Sequence, residues 1–484
     1  DVIRVEDTYY MVSTTMHFMP GCEILQSFDL VHWEHVTYVY ETLDHTDAQQ
    51  LKSGQNIYGQ GMWAASLRYH EGRFYICFVA NDTRKTYLYT SEKIDGPWKK
   101  QLIEGFYHDG SLLFDEDGRN YIVYGNDEIW ITELNEDLTA PKKDGLHRLL
   151  VSDHKNPELG YEGSHIQKIN GYYYIFLVHS LRDRWMRTEA CFYSDSLEGE
   201  FTGGDVLCDD RGYCGQGVAQ GGIVDTPDGK WYAMLFQDSG AVGRIPILLP
   251  VTWKDHFPVF GQNGHVPEEI EVHSTRPGYI YQPLVGSDDF CNGLLPRWQF
   301  NHDPDPRYYH LDALQGTYTI TTREVCTELT QAVNTLTQRM SYPSCAAEVT
   351  VDASALKEGD VAGLCALQSC YAAVGITKHH GKYEVLMLDK KEDGILDMTE
   401  GTVVESHQMD FRLEADFCNM KDEARCYYRV NKGDWLPIGT VHKLYFKLDH
   451  FTGCRFGLFC YAAEETGGSA CFRDFKYYDV DEIS

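Results

Sequence analysis

The chain has 484 residues, 43% of them hydrophobic and 24% charged, enough to bury a core and to form two or three domains. Its 73 acidic and 42 basic residues leave a net charge of −31, which excludes nucleic acid or an anionic membrane as the expected partner, since both need a basic patch. No run of about 18 apolar residues occurs, so no membrane-spanning helix is expected.

Aromatic residues make up 13%, with 33 Tyr and 9 Trp. That abundance suits β-structure and surfaces on which sugars stack. There are 15 cysteines and no Cys-x-x-Cys pair, so zinc-ribbon and thioredoxin signals are absent. Cys208 with Cys214, and Cys365 with Cys370, are close enough in sequence to pair. The favoured expectation is reduced, mostly buried thiols in a reducing, cytoplasmic compartment. No signal peptide is visible.

A polar turn followed by an aromatic-rich strand recurs five times. In chain order the copies begin at Glu6-Asp7-Thr8-Tyr9-Tyr10, Glu71-Gly72-Arg73-Phe74-Tyr75, Asp117-Gly118-Arg119-Asn120-Tyr121, Asn170-Gly171-Tyr172-Tyr173-Tyr174 and Asp228-Gly229-Lys230-Trp231-Tyr232. A second element starts at Ser27-Phe28-Asp29-Leu30, Ser91-Glu92-Lys93-Ile94 and Ser194-Asp195-Ser196-Leu197, each closed by an aromatic. It reads as an outer strand and its turn. Repeats of this length with several strands each fit propeller blades. The expected fold is all-β, with a five-bladed β-propeller over residues 1–260.

Residues 261–287 carry Pro267, Pro277 and Pro283 and few strand signals, and read as a linker. From 288 to 484 short strands recur without the blade motif, for example Gly316–Thr321, Cys345–Val351, Tyr383–Leu388 and Arg455–Cys460. This stretch reads as a β-sandwich.

A propeller gathers the inner ends of all its blades around one axis, so acids distant in sequence can share a pocket. Asp109, in His108-Asp109-Gly110-Ser111, lies 12 residues before Tyr121. Glu162, in Glu162-Gly163-Ser164-His165, lies 10 residues before Tyr172. The shared register points both acids at the axis. Two carboxylates in an aromatic-lined pocket are what glycosidic bond cleavage needs. Beside each acid stands a histidine, His108 and His165, read as hydrogen-bonded support.

These motifs together resemble glycoside hydrolase family 43, in its branch with a C-terminal concanavalin-like β-sandwich. The resemblance rests on Asp1-Val2-Ile3-Arg4-Val5, Met62-Trp63-Ala64, the two acid motifs, Gly221-Gly222-Ile223-Val224-Asp225-Thr226 and Val242-Gly243-Arg244. In the second domain it rests on Asp288-Asp289-Phe290, Trp298-Gln299-Phe300-Asn301-His302 and Asn334-Thr335-Leu336-Thr337-Gln338-Arg339.

The resemblance implies a five-bladed propeller and an inverting mechanism with three acids. It makes Glu162 the general acid and Asp109 an ionised residue that orients the site and raises the pKa of Glu162. The third acid, the general base, is expected two residues upstream of Asp1, outside the sequence. Asp1 itself is read as a strand-start residue. Arg244 resembles the arginine that grips sugar hydroxyls in the innermost subsite, where its fork can make two hydrogen bonds. Trp63 resembles an aromatic pocket wall, and His17 and Phe18 fall where the family has pocket aromatics, although Met16 departs from that pattern. Gln220 stands where many members have an axial histidine. Its carbonyl is compatible with Ca²⁺ but amide replaces imidazole, so no essential metal and no cofactor is expected.

The resulting expectation is an exo-acting hydrolase that releases β-1,4-linked xylose from xylo-oligosaccharide ends, with α-L-arabinofuranosidase as a related activity. The rival is a non-catalytic sugar-binding protein. The expected partner is an oligosaccharide, with neither nucleic acid nor membrane. No feature of the sequence fixes an oligomeric state.

Overall fold

The computed structural model describes residues 1–479. It is all-β: among these residues there is no α-helix, only four single 3-10 turns. No helix is long and apolar enough to cross a membrane.

Residues 2–40, 62–103, 111–152, 162–207 and 219–260 form five separate four-stranded antiparallel sheets. These are the five blades of a propeller, here numbered I to V in chain order. Each aromatic repeat is the second strand of its blade, such as Tyr172–Ser180 in blade IV and Trp231–Asp238 in blade V. The second repeated element differs from its expected place. Ser27, Ser91 and Ser194 end the third strands, and the residues after them are the turn to the outer strand. The reason is local: each serine hydroxyl accepts a hydrogen bond from an amide two residues on, at 3.1, 3.2 and 3.3 Å. This caps a turn rather than extending a strand.

Alternating aromatic and aliphatic residues put both faces of the second strands against neighbouring blades. Phe176, Leu177 and Val178 are fully buried. The ring closes where Arg4 of blade I pairs with Asp225 of blade V at 2.5 Å. Arg68 ties four innermost strands together. It donates to the Asp1 carboxylate, Ser111 Oγ at 2.6 Å, Leu112 O at 2.8 Å and Ile166 O at 3.0 Å. The Asp1 carboxylate also accepts from the Leu67 and Val2 amides and meets His165 Nδ1 at 3.2 Å. It is a buried anchor of the axis.

After Phe260 no ladder strand forms until Gln299–Phe300. The intervening chain runs over blade I, where the Thr275 amide donates to Phe28 O, Tyr281 Oη accepts from the Phe28 amide, and Arg276 pairs with Asp7. The remaining strands make sheets of eight and seven strands that enclose one large apolar core, the β-sandwich. The strands expected there are present as Thr317–Thr321, Ser344–Asp352, Lys382–Lys390 and Arg455–Ala462.

The two domains are pinned together at several points. Met19 of blade I bridges Phe300 through two backbone hydrogen bonds, at 3.0 and 2.6 Å. Arg339 of the sandwich reaches Glu23 at 3.0 Å. Gly243 of the propeller and Gly453 of the sandwich touch backbone to backbone. A Cβ on Gly243 would lie 2.6 Å from the Gly453 nitrogen, and both glycines have positive φ. All 15 cysteines are free thiols, so neither suspected pair is a disulfide.

Candidate active site

Strand direction explains why distant residues converge. Trp63, Glu162 and Gln220 stand at the starts of the innermost strands Met62–His70, Glu162–Ile169 and Ala219–Asp225. Asp109 lies two residues before the innermost strand Ser111–Phe114. All four therefore face one end of the axis. Second and third strands return to the same end and deliver Asn126, Arg187, Asp238 and Arg244.

The two acids meet around His108. Its Nε2 lies 3.5 Å from a Glu162 oxygen and 3.6 Å from an Asp109 oxygen. Asn126 Nδ2 donates to Glu162 Oε2 at 2.7 Å. The Gly163 amide donates to Asp109 Oδ2 at 3.1 Å, and Ser164 Oγ donates to the Asp109 carbonyl at 2.7 Å. Asp109 is held at φ 47° and Gly163 at φ 66°. Non-glycine residues in this region are uncommon and gather at functional sites.

Charge and burial set the protonation order. Burial lowers the affinity of the His108 imidazole for a proton, but Asp109 and Glu162 outweigh it and raise its pKa to about 9. Burial pushes the Asp109 carboxyl up. Burial acts on Glu162 in the same direction, but the hydrogen bond and charge of His108, with Arg187 and Arg244 beyond, bring that carboxyl below its ordinary value. The family resemblance implies the other directions, with Asp109 ionised and Glu162 raised. The imidazole lies 3.5 Å from Glu162, close enough for its charge to oppose the effect of burial there. Among the described residues these three side chains form the one grouping of His, Cys, Asp or Glu donors that all lie within 4.8 Å of one another.

Arg244 is stacked between two rings, with its guanidinium carbon 4.4 Å from the Phe236 centroid and 4.3 Å from that of Phe451. Its Nε donates to Asp238 Oδ1 at 3.2 Å. Asp238 also faces Arg187 Nε at 3.4 Å. Phe451 comes from the sandwich and packs edge-on against Trp63, with centroids 5.5 Å apart. Trp63 in turn lies 6.2 Å from His108. The second domain therefore supplies one wall of the pocket.

Gln220, at φ 66°, accepts from Arg187 Nη1 at 3.3 Å. Its backbone amide donates to the buried Glu189 carboxyl at 2.7 Å. A guanidinium already faces the Gln220 carbonyl, so this residue does not fit a Ca²⁺ ligand.

His17 and Phe18 lie elsewhere than expected. Both are fully buried. Arg455 of the sandwich sits 3.7 Å above the Phe18 ring. His17 packs against Phe18, Tyr58, His302 and His450. They build the domain interface and present no surface to a ligand. Sequence reasoning passed over Asn126, Arg187, Asp238 and Phe451, and gave His108 only a supporting role. The position of Asn126 at the end of a repeat strand was a signal available in the sequence; Phe451 carried none.

A propeller with paired carboxylates at one end of its axis, walled by an aromatic from a second domain, is the architecture of a carbohydrate-cleaving enzyme. The sequence profile of Glycosyl hydrolases family 43 matches residues 1–258. That of the Beta xylosidase C-terminal Concanavalin A-like domain matches residues 287–478. The chain belongs to glycosyl hydrolase family 43, and it is an O-glycosyl hydrolase acting on carbohydrate.

Among its relatives is a beta-xylosidase of Formosa agariphila, 26% identical, with 99% of this chain and 87% of the relative covered. Another is a non-reducing end alpha-L-arabinofuranosidase of Bacteroides ovatus, 23% identical over 82% of this chain and 77% of the relative. Among solved structures, a bifunctional GH43-CE protein of Bacteroides eggerthii superposes with a TM-score of 0.91 at 42% identity, covering 99% of this chain. The chain spans 62% of the length of that protein.

Proposed function

We propose that this protein is an exo-acting, inverting hydrolase that removes β-1,4-linked xylose from the ends of xylo-oligosaccharides, with α-L-arabinofuranosidase as a second activity. The observation that carries the reading is the wall made by Phe451 against Trp63 and Arg244. In this reading a sandwich residue over the end of the axis restricts the site to a chain end rather than a chain passing through. The names of the two curated relatives support the same pair of substrates.

In this reading Glu162 protonates the leaving oxygen and Asp109 supports it through the shared His108. Arg244, held between two aromatic rings and by Asp238, is pre-set to grip two hydroxyls of the terminal sugar. Water attacks the anomeric carbon from the opposite face.

The test is hydrolysis of xylobiose, p-nitrophenyl β-D-xyloside and p-nitrophenyl α-L-arabinofuranoside by the protein. Proton NMR reads the first-formed anomer, which is α-xylose for inversion. Glu162→Gln is expected to lower turnover of xylobiose by about 10²–10⁴-fold. Sugar binding that survives in Glu162→Gln, with no turnover in the unmodified protein, returns the rival reading of a sugar-binding protein.

A further inference from the structure

Nε2 of His108 is buried and makes no hydrogen bond shorter than 3.5 Å. It stands between Glu162 and Asp109 and within reach of both. The backbone that carries the imidazole is held, because the His108 carbonyl accepts from the Gly125 amide at 3.0 Å and the neighbouring Asp109 carboxylate accepts from the Gly163 amide. Glu162 Oε2 is the shared oxygen, taking the Asn126 amide on one side and facing the imidazole on the other.

We propose that His108 holds the proton that Glu162 delivers, and passes it to Glu162 Oε2 as a glycosidic oxygen enters the pocket. The proposal rests on the reading of Glu162 as general acid. His108 acts through Glu162, so it is a positioning residue for the proton. The atoms balance simply. The His108 Nε2–H bond breaks and an O–H bond forms on Glu162. That proton moves to the glycosidic oxygen as the anomeric C–O bond breaks and its electron pair leaves with the aglycone. The attacking water gives up one proton, and His108 takes one back from solvent. The 3.5 Å gap closes by a small movement, as such contacts commonly tighten when substrate binds.

The groups facing His108 support the arrangement. Asp109 and Glu162 favour the imidazolium, and Arg84 from blade II opposes it. Arg187 and Arg244 act on Glu162 from blades IV and V. The balance keeps the imidazole protonated up to about pH 9. Without substrate the proton rests on His108. With substrate the leaving oxygen draws it through Glu162. The pair therefore keeps a transferable proton to a higher pH than the carboxyl could alone.

The test compares His108→Asn and His108→Gln with the unmodified protein on two substrates. Xylobiose needs its leaving oxygen protonated, whereas 2,4-dinitrophenyl β-D-xyloside does not. The expected result is a fall of about 10²-fold in kcat/KM for xylobiose at pH 8, with less than about threefold on the dinitrophenyl glycoside. The alkaline limb of the xylobiose profile is expected to move down by more than about one pH unit. Equal losses on both substrates with an unmoved limb overturn the proposal and leave His108 a packing residue. Glu162→Gln, run alongside, separates the two readings. If it discriminates between the substrates and the His108 variants do not, only the His108 proposal fails. If it does not discriminate, the acid assignment itself fails. Thermal midpoints of all variants show whether either substitution unfolds the protein, and the second His108 variant stands in if one does.

Discussion

Replacing Glu189 by Gln is expected to make the protein progressively more stable, relative to the unmodified chain, as pH rises. Glu189 is fully buried between blades IV and V. Its Oε2 accepts one hydrogen bond, from the Gln220 amide, and its Oε1 has no partner. Burial pushes its carboxyl well above the ordinary carboxylate range. In the unfolded chain a glutamate loses its proton near pH ~4.3, while the folded protein keeps it. Between those two pKa values the unfolded state binds fewer protons, so stability falls as pH rises, by about 1.4 kcal/mol per pH unit. The Glu189 contribution falls at up to that slope for as long as the folded carboxyl stays protonated. Gln keeps the shape and the acceptor for the Gln220 amide but does not titrate. Burying its extra N–H group adds a cost that is the same at every pH, so the offset changes and the slope does not. The assay is denaturant unfolding of both proteins at pH 5, 6 and 7, in which all other titrations cancel in the difference. A stability gap that stays constant over that range refutes the claim that Glu189 is buried in its neutral form.

Phe451→Ala removes one of the two rings around Arg244 and the edge contact with Trp63, and is expected to lower kcat/KM on xylobiose about 5–150-fold, from about 1–3 kcal/mol of lost contact; steady-state kinetics on the variant checks it, and unchanged kinetics removes the sandwich from the site. Gly243→Ala sets a Cβ against the Gly453 backbone at positive φ, so it is expected to cost more than about 1 kcal/mol of stability and to displace Arg244. A lowered thermal midpoint together with raised KM is the expected signature. Thiol titration of the native protein is expected to label Cys208, Cys214, Cys291 and Cys418, which are exposed, and to spare the ten buried cysteines until denaturant is added. Early reaction of the buried set would show that those interiors open.

Five repeated aromatic strands are enough to read five blades, because each blade repeats one local pattern: a polar turn, then a strand buried on both faces. Asp109 and Glu162 were legible for a related reason, since similar spacings from successive repeats, 12 and 10 residues, place two acids at the same end of one axis. The strands of the sandwich were legible from their own alternation. Sequence spacing stops short of what depends on meetings between blades and between domains. Phe451 reaches the pocket from 191 residues beyond the last blade, which ends at Phe260, and nothing in His450-Phe451-Thr452 marks it for that place. Phe18 and His17 sit in a loop at the pocket end of blade I, and local sequence cannot tell a loop that faces a ligand from one covered by a second domain. Docking of the sandwich, with Arg455 over Phe18 and His302 and His450 around His17, settles that. The directions in which burial and neighbouring charges push these groups also depend on the tertiary structure. Residues 108, 109 and 162 declare their chemistry in the sequence, but which of them holds the proton depends on distances of a few ångströms in a buried site, where each charge shifts its neighbours strongly.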